Sequence, residues 1–142
     1  MSIKFQQTTF IMVTTLLVKD ETATGKIITE TTLELQSDRV SVREVIEARV
    51  IAEVEKYNSQ ATEYFNGLVQ PSDAERTLNG FRMRDRRFVD PEKQVYVALD
   101  AFQKNSYFVL VDDHQVESLS QEIHIRPNSS VSFVQLVPLV GG

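Results

Sequence analysis

The end of the chain is its most unusual chemical feature. The 142-residue sequence finishes in Gly141-Gly142, and a strand predicted at 131–137 runs almost directly into this pair. Glycine has no Cβ, so a carboxylate on such a thin lead can enter a narrow site on a partner and be activated there. The alternative is a frayed end without a role. The residues expected to take part are the acyl-transfer positions Gly142 and Gly141 and the partner-contacting positions Pro138, Leu139 and Val140.

The other chemically capable side chains do not form a recognisable catalytic or metal site. His114 and His124 lie far apart in sequence and have no cysteine companions, which is not a metal-ligand spacing. Asp112-Asp113 could act as paired carboxylates, but two aspartates after a strand are first of all turn formers. The chain has no cysteine, which excludes a thiolate nucleophile, a disulfide framework and a thiolate metal site. We therefore expect a protein that is not an enzyme and carries no cofactor or metal of its own.

Arginines at alternate positions form the one basic cluster in an otherwise acidic chain. As a strand, 82–87 would place Arg82, Arg84 and Arg86 on one face, where they could meet an acidic partner. The alternative is a solvated edge strand that its charges protect from aggregation. The net charge of −5 argues against general nucleic-acid binding. The sequence has no apolar stretch of the ~20 residues needed to span a bilayer and no leader pattern, so we expect a cytoplasmic protein without membrane contact.

The elements that must position these residues begin with a hairpin and a helix. Residues 10–18 are rich in β-branched and apolar side chains, and 27–35 alternates, so two strands joined by a short glycine-containing connection are predicted. Ser41 and Glu44 form a capping box, followed by apolar residues at helical spacing as far as Tyr57. Further strands are predicted at 107–111 and 131–137.

The block 58–104 is predicted to be a mostly helical insertion. It is expected to fold as one or two short helices. The candidate segments are 60–69, the stretch after the capping box that begins at Ser72, with Gly80 as the residue after its C-terminus, and the stretch after Asp90-Pro91. We expect the insertion to pack on the edge of the domain and to contribute to oligomerisation or partner choice. The predicted anchors are Val95, Leu99, Phe102, Phe65 and Phe88.

The stretch from Phe108 to Gly142 resembles the ubiquitin-like β-grasp family. It is written FVLVDDHQVESLSQEIHIRPNSSVSFVQLVPLVGG and shows an apolar strand, a polar turn, a small apolar anchor, an irregular segment, a turn and a last strand that runs into a flexible diglycine. The hairpin from Phe10 to Leu35 and the helix from Ser41 to Tyr57 match the first half of that fold. The resemblance implies an α+β chain in which residues 1–142 form one domain, with the insertion at 58–104 and a flexible tail at 138–142.

The resemblance also implies a function, in two forms. In a ubiquitin-like protein modifier, of which the bacterial conjugation systems are most similar, an activating enzyme adenylates the Gly142 carboxylate with ATP. A conjugating enzyme often follows, the carboxylate is joined to a target, for instance through an isopeptide bond, and a deconjugating protease can reverse the step. In a sulfur carrier of cofactor biosynthesis, which often has proline ahead of the diglycine, the carboxylate becomes a thiocarboxylate.

A third alternative comes from another class of protein: an interaction module that never activates its tail. We favour the modifier, because a bulky insertion is hard to reconcile with a carrier that docks its tail deep in a biosynthetic enzyme. A homo-oligomer formed through the insertion stays open as a further expectation.

The predicted topology is a mixed sheet around the helix, with the last strand beside the first and parallel to it, because the helix and insertion supply the long crossover that parallel neighbours need. The predicted core consists of Ile11 or Met12, Val13, Leu16, Ile27, Leu33, Leu35, Val42, Ile46, Val50, Phe108, Leu110, Leu119, Ile125, Phe133 and Leu136.

Overall fold

The computed structural model describes residues 13–60, 64–71, 74–77, 80–83 and 88–136. This part of the chain is an α+β structure with a mixed five-stranded sheet and two helices. The strands are β1 (Thr14–Thr22), β2 (Ile27–Leu35), β3 (Arg39–Ser41), β4 (Tyr64–Phe65), β5 (Ala74–Thr77), β6 (Gly80–Met83), β7 (Tyr107–Val111), β8 (His114–Gln115), β9 (Glu122–His124) and β10 (Ser130–Gln135). The helices are α1 (Val42–Ser59) and α2 (Pro91–Gln103).

The five-stranded sheet has the order β2-β1-β10-β7-β8. Strands β1 and β2 form the expected antiparallel hairpin, and Gly25 in its turn has a positive φ of 89°, a conformation that glycine adopts without strain. Strand β10 lies between β1 and β7, parallel to β1 with Val18 opposite Val131, and antiparallel to β7. The prediction that the last strand runs beside the first and parallel to it is confirmed.

Helix α1 begins where the sequence predicts. The Ser41 side chain accepts a hydrogen bond from the Glu44 N–H, and the Glu44 side chain accepts one from the Ser41 N–H, so both arms of the capping box are present. The short pair β3–β9 lies beside this helix start, and the first helical N–H groups of Val42 and Arg43 donate to the carbonyls of Gln121 and Leu119. The irregular segment 116–125 is therefore fastened to the beginning of α1.

The core lies between α1 and one face of the sheet. Of the predicted core residues, those that are buried are Leu16, Leu33, Leu35, Val42, Ile46, Val50, Leu119, Ile125 and Phe133. The expectation was wrong for Val13, Ile27 and Leu136, which are 50%, 46% and 41% exposed because they lie at strand ends beyond the cover of the helix. Ile11 and Met12 lie outside the described residues.

The prediction for β7 chose the wrong face of the strand. Phe108 and Leu110 are only half-buried, whereas Tyr107 and Val109 are 3% and 0% exposed. Pairing with β10 sets this register, because Val109 lies opposite Phe133, whose side chain points toward the helix. A one-residue shift in register exchanges the two faces of a strand. The sequence-based prediction placed Phe108 and Leu110 on the buried face, which in the structure carries Tyr107 and Val109.

The described residues of the insertion are not mostly helical, which corrects the prediction. Strands β4, β6 and β5 form a three-stranded antiparallel sheet in that order. The helix expected at 60–69 is absent from its described part, where Tyr64–Phe65 is a strand. The residues after Ser72 form β5, with Gly80 at the start of β6, although Ser72 itself lies outside the described residues. Strand pairing satisfies the backbone groups that a helix would have paired internally.

The last predicted helix of the insertion is confirmed as α2. The Asp90 side chain accepts from the N–H groups of Glu92 and Lys93, and Pro91 occupies the first turn. Of the predicted anchors, Phe65, Leu99 and Phe102 are buried and Val95 is half-buried, but Phe88 is 81% exposed.

The exposure of Phe88 has a local cause. Asn58 on α1 donates to the Val89 carbonyl at 3.0 Å and accepts from the Val89 N–H at 2.9 Å. This bidentate contact fixes Val89 against the helix with its side chain buried. Neighbouring side chains of an extended segment point in opposite directions, so Phe88 points to solvent.

Candidate functional site

The end of β10 lies in the middle of the five-stranded sheet, between β1 and β7. Gln135 lies opposite Thr22 of β1 on one side and Tyr107 of β7 on the other. The next residue, Leu136, is 41% exposed. The predicted site residues beyond this point, Pro138, Leu139, Val140, Gly141 and Gly142, lie outside the described residues.

The face of the sheet turned away from α1 carries apolar side chains close to the end of β10. Val134 pairs with Phe108, and Ser132 pairs with Leu110; the three apolar members of these pairs are half-buried. The Ser132 hydroxyl donates to the Glu21 carboxylate of β1 at 3.1 Å. A partner that approached the end of β10 from this side would meet an apolar surface around one satisfied polar pair.

A groove of about 660 Å³ lies beside the start of β7. Its walls come from the end of α2, the start of β7 and the segment after β8, and they include Phe102, Asn105, Phe108, Gln115 and Ser118. Because Tyr107, which also lines the groove, lies opposite Gln135, the chain leaves the sheet next to this groove.

The arginine stripe is only partly described. Arg82 lies on β6 between Tyr64 of β4 and Glu75 of β5, and it is exposed. Arg84 and Arg86 lie outside the described residues. Whether the three arginines share one face, as the sequence predicts, is therefore still a prediction.

Asp112 and Asp113 form the turn between β7 and β8, as predicted, with positive φ angles of 47° and 67°. The Asp112 carboxylate accepts from the Ser130 N–H at 2.9 Å and from the Ser129 hydroxyl at 3.2 Å. These two hydrogen bonds hold the start of β10 in place, so the position of Asp112 is explained by a structural role.

The two histidines do not lie in one site. His114 is exposed on β8, and the His124 side chain on β9 lies 3.6 Å from the Asp38 carboxylate. Within the part of the chain that the structure describes, no group of three or more histidine, cysteine, aspartate or glutamate residues could hold a metal ion. In that same part, no helix is long and apolar enough to cross a membrane.

The most elaborate polar cluster was missed by the sequence reasoning. Arg49 on α1 is 5% exposed, and its guanidinium binds the Asp20 carboxylate of β1 through both terminal nitrogens. Its Nε donates to Glu53 one turn later at 2.6 Å, and the Phe133 ring lies 4.3 Å below the guanidinium carbon. The other Glu53 oxygen accepts from the Leu68 N–H of the insertion at 3.1 Å.

This cluster, which we call the Arg49 network, places one buried cation between two carboxylates. Burial disfavours the guanidinium charge, but the Glu53 and Asp20 carboxylates outweigh that cost and raise the pKa of Arg49. Burial raises the pKa of Glu53, and Arg49 offsets part of that rise. The network joins sheet, helix and insertion through buried charges, so its evident role is structural.

A signal for the network was present in the sequence. Arg49 and Glu53 fall on the same helical stripe as Val42, Ile46 and Val50. A charged pair at i and i+4 on an apolar stripe indicates a buried ion pair rather than a solvated one.

Comparison with known proteins gave no assignment: no protein-family model, no curated protein and no solved structure matches this chain.

Proposed function

We propose that this chain is a ubiquitin-like β-grasp modifier whose Gly142 carboxylate is activated by a partner enzyme and joined to a target. The observation that carries the proposal is the parallel pairing of β1 with β10 at the centre of the sheet. Together with the β1–β2 hairpin and α1 on one face, this is the arrangement that the family resemblance implies. This long-range pairing supports the β-grasp assignment.

The position of the last strand also supports the proposal. The buried side chains of β10 end at Phe133, and the later residues of the strand are half-exposed. The core among the described residues is therefore complete before the end of β10. Pro138 cannot donate a ladder hydrogen bond, so strand pairing is not expected to continue toward Gly142.

The proposed chemistry belongs mainly to the partner. A carboxylate oxygen of Gly142 attacks the α-phosphorus of ATP, and pyrophosphate leaves. A cysteine thiolate of the activating enzyme then attacks the acyl-adenylate carbonyl and releases AMP. An amine of the target next displaces the thiolate to give an amide, and the amine loses one proton. This chain supplies the carboxylate, which follows two glycines, Gly141 and Gly142, that have no side chains to obstruct a narrow active site.

The surface beside the end of β10 offers a contact area for the activating enzyme. Phe108 belongs both to the outward sheet face and to the groove beside β7, next to Asn105 and Gln115. An apolar centre with a polar rim is typical of protein interfaces. We expect the enzyme to contact this area while the residues from Pro138 onward enter its active site.

Sulfur transfer is the second candidate, and Pro138 ahead of the diglycine is the observation that favours it. The chemistry is the same as far as the acyl-adenylate; hydrosulfide then attacks the acyl carbonyl, AMP leaves, and a thiocarboxylate remains. The two candidates therefore make different products from the same carboxylate.

Intact-mass analysis separates the candidates. The chain would be incubated with ATP, Mg²⁺ and the fraction of its source cells that an immobilised copy retains. Attachment to another polypeptide supports the modifier, and replacement of one oxygen by sulfur supports the carrier. A Gly142→Trp variant, which keeps the described core, should give neither product. If the wild-type chain shows no ATP-dependent change in mass, the proposal fails and an interaction module is the better description.

A further inference from the structure

The two edges of the five-stranded sheet are built very differently. Strand β8 closes one edge with two residues, whereas β2 forms the other edge with nine. Seven of the nine β2 residues are exposed, and only Leu33 and Leu35 are buried. Among the described residues, β1 is the one strand that pairs with β2, so one side of the β2 backbone faces away from the sheet.

Edge strands of natural proteins usually carry features that hinder pairing with other chains, such as short length, charged side chains (lysine above all), proline or a β-bulge. The β2 sequence IITETTLEL contains no lysine, arginine, proline or glycine. It consists of β-branched, leucine and glutamate residues, and its exposed β-branched side chains favour an extended conformation. The ladder with β1 is bulged at Ile27 and Ile28 and continuous from Thr29 to Leu35, so the regular part of this edge is the stretch that carries Glu30 and Glu34. This stretch is long enough to accept another strand.

The charges along β2 indicate which kind of strand fits. Glu30, Thr32 and Glu34 share the face turned away from α1, where they pair with Lys19, Leu17 and Thr15. Lys19 therefore offsets Glu30 on the β1 side, whereas Glu34 faces an uncharged residue. A new strand on the free side would place its own side chains directly opposite Glu30 and Glu34, where opposite charges are favourable and like charges are not.

A second copy of this chain fits the edge poorly. In an antiparallel β2–β2 pair centred on Thr31, Glu30 of each copy would lie diagonal to both Glu30 and Glu34 of the other. Four carboxylates would then line one face of the joint. The charge pattern therefore disfavours self-pairing.

We propose that the β2 edge binds an extended segment of another protein in which lysine or arginine alternates with small β-branched residues. Backbone hydrogen bonds to β2 supply the pairing, and the basic side chains lie opposite Glu30 and Glu34. This site is separate from the Gly142 carboxylate and is expected to work in a chain that lacks Gly141 and Gly142. It gives the protein a second contact surface, at the edge of the sheet opposite to the one near the groove beside β7.

The test uses capped peptides of the same length as β2, titrated into ¹⁵N-labelled protein and followed by NMR. The probe alternates lysine with valine, and a matched peptide replaces every lysine with glutamate. We expect shift changes concentrated at 26–35 for the lysine peptide and none for the glutamate peptide. The Glu30→Lys/Glu34→Lys variant should bind the lysine peptide about tenfold more weakly. The control variant is Glu117→Lys, which changes an exposed carboxylate just after β8, at the edge opposite β2. This variant should bind the lysine peptide as the wild type does.

Backbone methylation distinguishes strand pairing from simple charge attraction. Two further lysine–valine peptides carry N-methyl groups at all odd or at all even positions. A paired strand directs alternate N–H groups toward its neighbour, so one methylated peptide should lose binding and the other should keep it. The inference is overturned if both methylated peptides bind equally, if the shifts lie outside 26–35, or if no peptide binds at millimolar concentration. Concentration-dependent dimerisation through β2 would likewise overturn the choice of occupant.

Discussion

Helix α1 is held in two different ways on its two flanks. Toward the sheet it packs through aliphatic and aromatic side chains, with Val42, Ile46 and Val50 in the same buried cluster as Leu16 and Phe133. These contacts are non-directional, and each buried aliphatic side chain contributes on the order of 1.5–3 kcal/mol. This region, residues 13–59 with 105–136, is called the frame below.

Toward the insertion the same helix also makes apolar contacts, such as Tyr57 edge-on to Phe65, but hydrogen bonds from side chains to backbone are added to them. Glu53 accepts from the Leu68 N–H, and Asn58 binds both backbone groups of Val89. Within the insertion, Gln94 on α2 donates to the Val69 carbonyl at 2.8 Å and is itself buried. Short segments without long strand partners must satisfy their buried backbone groups in this way.

The difference teaches that frame and insertion depend on different kinds of residue. The frame depends mainly on apolar volume, whereas the insertion, whose apolar side chains belong to the same buried cluster, depends in addition on a few polar residues with fixed geometry. The Arg49 network lies where the two regions meet, since it contacts β1, α1 and the segment that contains Leu68. Substitutions at these polar positions provide the sharpest tests of the distinction.

The largest effect is expected for Arg49→Met. The variant keeps most of the side-chain volume but leaves the Asp20 and Glu53 carboxylates partly buried without their cation, which should cost about 3–5 kcal/mol of unfolding free energy. Urea unfolding of the variant and the wild type measures this loss of unfolding free energy. The control Arg43→Met removes an exposed pair with Glu47 and should cost ~0.5 kcal/mol or less. Equal losses in the two variants would show that the network does not join the two regions.

A smaller loss is expected for Asn58→Ala. Removal of the amide leaves the N–H and C=O of Val89 without their partner in a half-buried place, at a cost of about 2 kcal/mol. Hydrogen exchange at Val89 should accelerate more than exchange in β1. Asn128→Ala, in an exposed turn, is the matched control and should change stability by ~0.5 kcal/mol or less. Uniform acceleration in frame and insertion would contradict the separation.

The helix caps should show a loss of about 1 kcal/mol in each region. Ser41→Ala weakens α1 in the frame, and Asp90→Ala weakens α2 in the insertion. The informative measurement is which backbone amides exchange hydrogen faster in each variant. We expect Ser41→Ala to act on amides throughout the molecule and Asp90→Ala to act mainly on 88–104. If Asp90→Ala raises exchange in β1 and β10 as strongly as in α2, the insertion is not a separate unit.

The smallest effect is a pH dependence that comes from Glu53. Burial raises the pKa of this carboxyl above its usual value, so the native state binds the proton more tightly than the unfolded chain does. The resulting stabilisation is fully present below the unfolded pKa and is lost as the pH rises through the native one. The unfolding free energy of the wild type relative to Glu53→Gln should therefore increase as the pH falls from neutral. A flat difference, or one of opposite slope, would contradict the cause assigned to the shift.

The frame could largely be predicted from the sequence because its signals are long and redundant. The β1 stretch is rich in β-branched residues, α1 combines a capping box with an apolar stripe, and the crossover fixes β10 as parallel to β1. The face of β7 was wrong because YFVLV is apolar at every position, so no period marks which side is buried. That choice is made by pairing with β10, a contact distant in sequence.

The insertion was predicted poorly for a different physical reason. Strands of two to four residues carry too little pattern to be distinguished from helix starts, and the capping-box spacing after Ser72 has meaning only when a helix follows. Tertiary hydrogen bonds such as those of Asn58 decide these segments. The tail residues proposed for activation were identified from sequence alone, and the structure contributes the location of the strand that leads to them.

The most direct test of the proposed function is ATP–pyrophosphate exchange. Formation of an acyl-adenylate at Gly142 is reversible, so an activating enzyme retained from the source cells should move labelled pyrophosphate into ATP only when this chain is present. We predict exchange with the wild-type chain and none with a variant that lacks Gly141 and Gly142, although the two should unfold at the same urea concentration. Equal exchange with both chains, or none with either, would contradict the account.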